Sequence, residues 1–119
     1  MALHALELSR KSGFEKGEAV SLNRISNVYS ILGNFLKAME ILLQALQINE
    51  KINNVDGKQR NLSNIGMIYN RQDNYQQALG YLFKAKLLAE KLYNKVSLSI
   101  TLYNIVESYL KFKMFDSAN

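Results

Sequence analysis

The 119-residue chain has no cysteine, no proline, no tryptophan and a single histidine, His4. Without cysteine it can form no disulfide framework, thiolate zinc site, iron–sulfur cluster or thiol nucleophile. One imidazole is too few for most zinc sites and for any mechanism that needs two. The absence of proline removes the strongest helix breaker, and Leu, Ile, Lys, Asn and Ala are abundant, which favours long helices. No stretch approaches the ~18 consecutive apolar residues of a membrane span. Met1–Glu7 has neither the basic start nor the apolar core of a signal peptide, so the default expectation is a cytoplasmic chain without a membrane segment. Fifteen basic against ten acidic residues give a net charge of +5, spread without any basic run. A nucleic-acid track calls for clustered Lys and Arg interleaved with aromatics, so no nucleic-acid partner is expected. An apolar fraction of 48% argues against disorder.

What is present is a repeat. Ala38, Ala78 and Ala118 are 40 residues apart, as are Tyr29, Tyr69 and Tyr109, Ile25, Ile65 and Ile105, and Leu22, Leu62 and Leu102. Aromatics recur at Phe35, Tyr75 and Phe115, and Lys11, Lys51 and Lys91 share one phase. Each period holds two helices. Leu62, Ile65, Gly66 and Tyr69 mark one helical face, and Tyr75, Ala78, Leu82 and Ala85 mark the next after a break at 71–74. Asn34 and Asn74 stand where an N-cap is wanted. Gly33 and Asp73 before them tolerate left-handed backbone, and Asp56 and Asn94 are read as opening the following helices. The pattern predicts six helices, over 2–12, 17–32, 35–53, 57–72, 75–93 and 95–112, antiparallel because the turns are short. Leu42, Ile65, Tyr69 and Leu82 are the expected core, with Ser26 and Gly66 letting facing helices approach.

This pattern resembles the tetratricopeptide repeat family. The second repeat supplies its motif as Leu62, Ile65, Gly66, Tyr69, Asp73, Tyr75, Ala78, Leu82 and Ala85. The first supplies Leu22, Ile25, Ser26, Tyr29, Gly33, Phe35, Ala38, Leu42 and Ala45. The third supplies Leu102, Ile105, Tyr109, Phe115 and Ala118, with Val106 and Lys113 departing from the motif. The period is 40 rather than the usual 34, and the helix-ending proline is missing. The 40-residue variety resembles repeats of bacterial sensor kinases and peptide-responsive regulators. The resemblance implies an all-α fold of antiparallel helix-turn-helix repeats stacked as a right-handed α-solenoid. The chain would be one domain over 1–119: a partial repeat 1–18, repeats 19–58 and 59–98, and a partial repeat 99–119, cut from a larger protein.

The resemblance also implies a function. The first helix of each pair would line a concave surface that binds a protein or extended peptide, without catalysis or a cofactor. The implied concave positions include Arg60, Ser63, Asn64, Met67, Asn70 and Arg71 in the second repeat, and Ile100, Tyr103, Asn104, Glu107, Leu110 and Lys111 in the third. The candidate ligand-binding residues are Asn23, Arg24, Asn27, Asn64, Met67, Arg71, Tyr103 and Asn104. An asparagine amide both donates and accepts, so it can hold a peptide backbone whatever its side chains. One variant of the family clamps a terminal carboxylate with two asparagines and three cations. Asn27 and Asn64 match the asparagines, but Asn23, Ile100 and Asn104 stand at the cationic positions, which argues against that specificity. No Gly-rich phosphate loop, paired carboxylates or metal-ligand cluster appears. Tyr29, Tyr69 and Tyr109 are read as packing residues, and the Lys11, Lys51 and Lys91 column as a solvated convex stripe beside Glu50 and Glu90. The alternative is a structural module. The terminal helices would expose Leu3, Leu6, Leu8, Ile105, Tyr109, Phe112 and Phe115 and associate with other copies.

Overall fold

The computed structural model describes the backbone of residues 2–118 and the side chains of residues 13–114. Its regular structure is entirely helical among the described residues. The helices are α1 (Ala2–Ile31), α2 (Phe35–Lys51), α3 (Val55–Arg71), α4 (Tyr75–Lys91) and α5 (Lys95–Ala118). The chain divides into two compact units, residues 1–58 and 59–119.

One asparagine serves both sides of every turn. Asn34, Asn54, Asn74 and Asn94 are 20 residues apart. Their backbone N–H groups donate to the carbonyls of Tyr29, Asn49, Tyr69 and Ala89 at 2.8–3.2 Å, the outer bond of a Schellman motif. Their own carbonyls accept the first bonds of the next helices, from Ala38, Lys58, Ala78 and Leu98. Three side chains also cap: Asn34 Oδ1 accepts from Lys37 N at 3.3 Å, Asn54 from Gly57 N at 3.3 Å and Asn94 from Ser97 N at 3.1 Å. The residue before each asparagine is left-handed: Gly33, Asn53, Asp73 and Tyr93 have φ of 86°, 56°, 62° and 53°.

These turns correct two expectations. Among the described residues there are five helices rather than six, because the segments expected at 2–12 and 17–32 are one helix. At the phase of the capping Asn54 and Asn94 stands Phe14, which has no oxygen to cap with, and Gly13 lacks the positive φ of its counterparts Asn53 and Tyr93. Two glycines in a helix interior cost about 1 kcal/mol each against alanine, too little to stop it. Asp56 does not open α3. Asn54 does, and Asp56 sits inside the first turn, where its charge suits the helix dipole.

In the first unit the small residues let α1 approach α2. The buried Ser26 hydroxyl donates to the Ala38 carbonyl at 2.7 Å. Ala38, Ile41, Leu42 and Ala45 form the buried face of α2. The exposed Lys51 ammonium lies 3.6 Å from Glu15. In the second unit the same phase carries Gly66, which lies against Leu82 and the Ala78 carbonyl of α4. Leu62, Ile65, Ile68, Tyr75, Ala78, Leu82, Ala85 and Ala89 complete that core.

Leu42, Ile65 and Leu82 are buried as expected. Tyr69 is only half-buried. Its ring stacks on Tyr81 at 5.6 Å between centroids, and the Lys84 ammonium sits 5.1 Å from the centre of the Tyr81 ring. Tyr29 is half-buried and Tyr109 is exposed, so the tyrosine column reaches the rim rather than the centre of the packing. Tyr109 and Phe112 are exposed as the terminal-edge reading asks, whereas Ile105 is buried. Leu3, His4, Leu6, Leu8, Lys11 and Phe115 lie outside the described side chains.

Candidate functional site

Within the second unit, α3 and α5 meet through polar side chains. Gln59 Nε2 donates to Thr101 Oγ1 at 3.4 Å, and the Thr101 hydroxyl donates to the Ser97 carbonyl at 2.8 Å. The Ser108 hydroxyl lies 2.7 Å from Asn70 Oδ1 and 2.9 Å from the Asn104 carbonyl. Thr101 and Ser108 are fully buried, so these bonds form away from water, where polar pairing is electrostatically stronger.

Beside this seam is an open cleft of about 280 Å³, lined by Met67, Asn70 and Arg71 of α3 and by Tyr103, Asn104, Glu107 and Lys111 of α5. Residues four apart on a helix lie one turn above each other, which aligns Tyr103 with Glu107 and Glu107 with Lys111. Lys111 Nζ is 3.0 Å from Glu107 Oε1. That hydrogen bond, ahead of every other influence, raises the Lys111 pKa above the ordinary lysine value. Asn70 uses its oxygen to accept from Ser108, which leaves its amide NH₂ for the cleft. Asn104 is 6% exposed, and its Nδ2 is buried without a hydrogen-bond partner among the described residues. A buried donor left unpaired costs about 1–3 kcal/mol. The wall is thus rich in donors, and its one carboxylate is engaged by Lys111.

At the turn between α3 and α4, the Tyr75 hydroxyl donates to Asp73 Oδ1 at 2.7 Å. This hydrogen bond, then burial, raises the phenol pKa. A second hollow, about 530 Å³, runs along α4 past Asn74, Gln76, Gln77, Gly80, Tyr81 and Lys84. It has one helix for a wall and contains none of the sequence candidates.

Of the eight candidates, Met67, Arg71, Tyr103 and Asn104 come together in the cleft. Asn64 is half-buried on α3 and does not line it. Asn23, Arg24 and Asn27 lie on α1 in the first unit, Asn23 half-buried and the other two exposed. Sequence reasoning placed Asn70, Glu107 and Lys111 on the same surface without choosing them. It missed Gln59, Thr101 and Ser108. The available signal was Thr101, Asn104 and Ser108 at i, i+3 and i+7, a polar stripe inside an otherwise apolar helix.

No group of three or more His, Asp or Glu that could hold a metal occurs among the described residues. No described helix is long and apolar enough to cross a membrane. No curated protein matches the sequence. A family model described as tetratricopeptide repeat matches residues 19–57 and 62–97, which takes in the Asn-capped turns, the Ser26 and Gly66 approaches and the first wall of the cleft. Repeats of this type generally mediate protein–protein interaction and are generally non-enzymatic scaffolds. With the match spanning more than half the chain, the chain belongs to the tetratricopeptide repeat family.

Proposed function

We propose that this chain is a non-enzymatic scaffold module that binds an extended peptide at the cleft between α3 and α5. The observation that carries the reading is the unpaired Nδ2 of Asn104 beside the free amide of Asn70. A peptide carbonyl supplies the acceptor that each lacks, and backbone recognition of this kind is indifferent to peptide sequence. Tyr103 and Met67 add an apolar platform, and Arg71, Lys111 and Glu107 select among peptide side chains. An origin in a bacterial signalling or regulatory protein, with its output elsewhere, belongs to the same proposal. It rests on the 40-residue period and the stretch from Asn61 to Tyr69.

The test is an array of random peptides about 12 residues long, roughly 40 Å when extended, probed with the chain and its variants. Asn70→Ala and Asn104→Ala should each weaken the signal across most bound sequences. Lys51→Ala, on the other unit, should leave it unchanged. Equal losses from all three, or none from the asparagine variants, would remove the reading. A second reading, association between copies, is favoured by the exposed apolar side chains of α5.

A further inference from the structure

α5 carries an exposed apolar seam that its counterparts lack. Val96, Ile100, Tyr103, Leu110 and Met114 are 54–72% exposed. With the half-exposed Glu107 they recur at alternating spacings of four and three residues, the 3.5-residue period of a two-stranded coiled-coil seam. The buried stripe of α5 is a different one, formed by Thr101, Asn104, Ile105 and Ser108. One repeat earlier, the seam phases hold Asp56, Arg60, Ser63, Met67, Asn70 and Asn74. The repeat's own packing therefore does not require apolar groups at these positions. A row of them in water, broken only by Glu107, marks an interaction surface.

We propose that the seam docks a second copy of this chain, α5 against α5 in antiparallel orientation, about a two-fold axis passing beside Ile105. The spacing reads the same in both directions, so an antiparallel two-fold contact keeps every seam position opposite another. In this register Val96 meets the partner's Met114, Ile100 meets the partner's Leu110, and Tyr103 meets the partner's Glu107. The one polar member of the seam thereby receives a phenol donor, twice by symmetry, while Lys111 at 3.0 Å balances its charge. A parallel pair in register would instead set two Glu107 carboxylates against each other, which is repulsive. The seam is ~28 Å long. A single helix face of that length buries less than the ~1,200 Å² of standard stable interfaces, so the pair is weak and concentration-dependent. The seam shares Tyr103 and Glu107 with the cleft, so a docked second copy and a bound peptide exclude each other there.

Sedimentation velocity of the 119-residue chain from about 1 to about 500 µM spans the range where such a pair forms. Mass should rise toward the dimer, and Ile100→Asp should weaken association at least about tenfold with an unchanged far-ultraviolet circular dichroism spectrum. The chain has no cysteine, so an introduced thiol is the sole one. An equimolar mixture of Ile100→Cys and Leu110→Cys should form a disulfide-linked heterodimer under mild oxidation, far faster than either variant links to itself. A monomer at every concentration, or Ile100→Asp associating like the parent, overturns the proposal. Preferential self-linking of Ile100→Cys overturns the antiparallel register.

Discussion

Gly66 and Leu82 are so close that a Cβ on the glycine would fall 2.7 Å from Leu82 Cγ and 3.2 Å from the Ala78 carbonyl oxygen. The first-unit counterpart of this approach is the 2.7 Å hydrogen bond from Ser26 to the Ala38 carbonyl. At one repeat phase, then, helices are brought together once by removing a side chain and once by a short polar one.

Gly66→Ala should destabilise the chain by about 1–3 kcal/mol, because the added methyl overpacks a filled site. Leu82→Ala should cost about 2–5 kcal/mol by leaving a cavity under fully buried surroundings. Together they should cost less than their sum, since the shortened residue 82 vacates the space that the new Cβ needs. Urea denaturation of the single and double variants measures this. Strict additivity would mean that α3 and α4 separate locally to admit the methyl.

The Asn70–Ser108–Asn104 cluster separates stability from recognition. Ser108→Ala removes a buried hydroxyl that holds Asn70 and should cost about 0.5–1.5 kcal/mol. Asn104→Ala removes a donor that has no partner among the described residues and should leave the melting temperature unchanged or raise it. If Asn104→Ala melts well below the parent, its amide is supporting the fold rather than awaiting a ligand.

Alkaline pH should weaken the second unit. The Tyr75 pKa is raised, first by its hydrogen bond to Asp73 and then by burial. A group that holds its proton more tightly when folded stabilises the fold fully below its unfolded pKa. That stability is lost as pH rises through the folded value. The Lys111 pKa is raised in the same sense by Glu107. Thermal stability should therefore fall from about pH 10 upward, near the ordinary tyrosine pKa. Tyr75→Phe should lower the neutral-pH stability by about 1 kcal/mol and flatten that decline. An identical alkaline slope in the variant would assign the effect to other groups.

The repeat was legible because the same packing problem is solved at the same phases. Ala38 and Ala78, Leu42 and Leu82, and Ile65 stand out at period 40 and are buried. The missing helix boundary near residue 14 was not legible from glycines alone. It depended on a capping oxygen, present at Asn54 and Asn94 and absent at Phe14, which shows only when the turns are aligned at 20 residues. The cleft was half legible. Helical spacing placed Met67, Arg71, Tyr103 and Asn104 on one surface, but it could not tell that Asn104 is buried and Asn64 stands apart. Those facts depend on which side chains meet across α3 and α5, such as Ser108 with Asn70, 38 residues apart.

Tyr93 offers a stabilising substitution for a backbone reason. Its φ is 53°, in the left-handed region, where the other three turns place Gly33, Asn53 and Asp73. A side chain with a Cβ pays roughly 1–2 kcal/mol there, and asparagine pays least because it bonds locally. The Tyr93 ring is 92% exposed, so it returns almost no burial for that cost. Tyr93→Asn should therefore raise stability by about 0.5–1 kcal/mol, and Tyr93→Gly should also raise it, because glycine has no Cβ to strain there. Differential scanning calorimetry should show the Asn variant melting a few degrees above the parent. The circular dichroism spectrum should be unaffected, and so should the cleft, which Tyr93 does not line. A lower melting temperature for both variants would mean that the ring makes a stabilising contact in solution that outweighs the backbone strain.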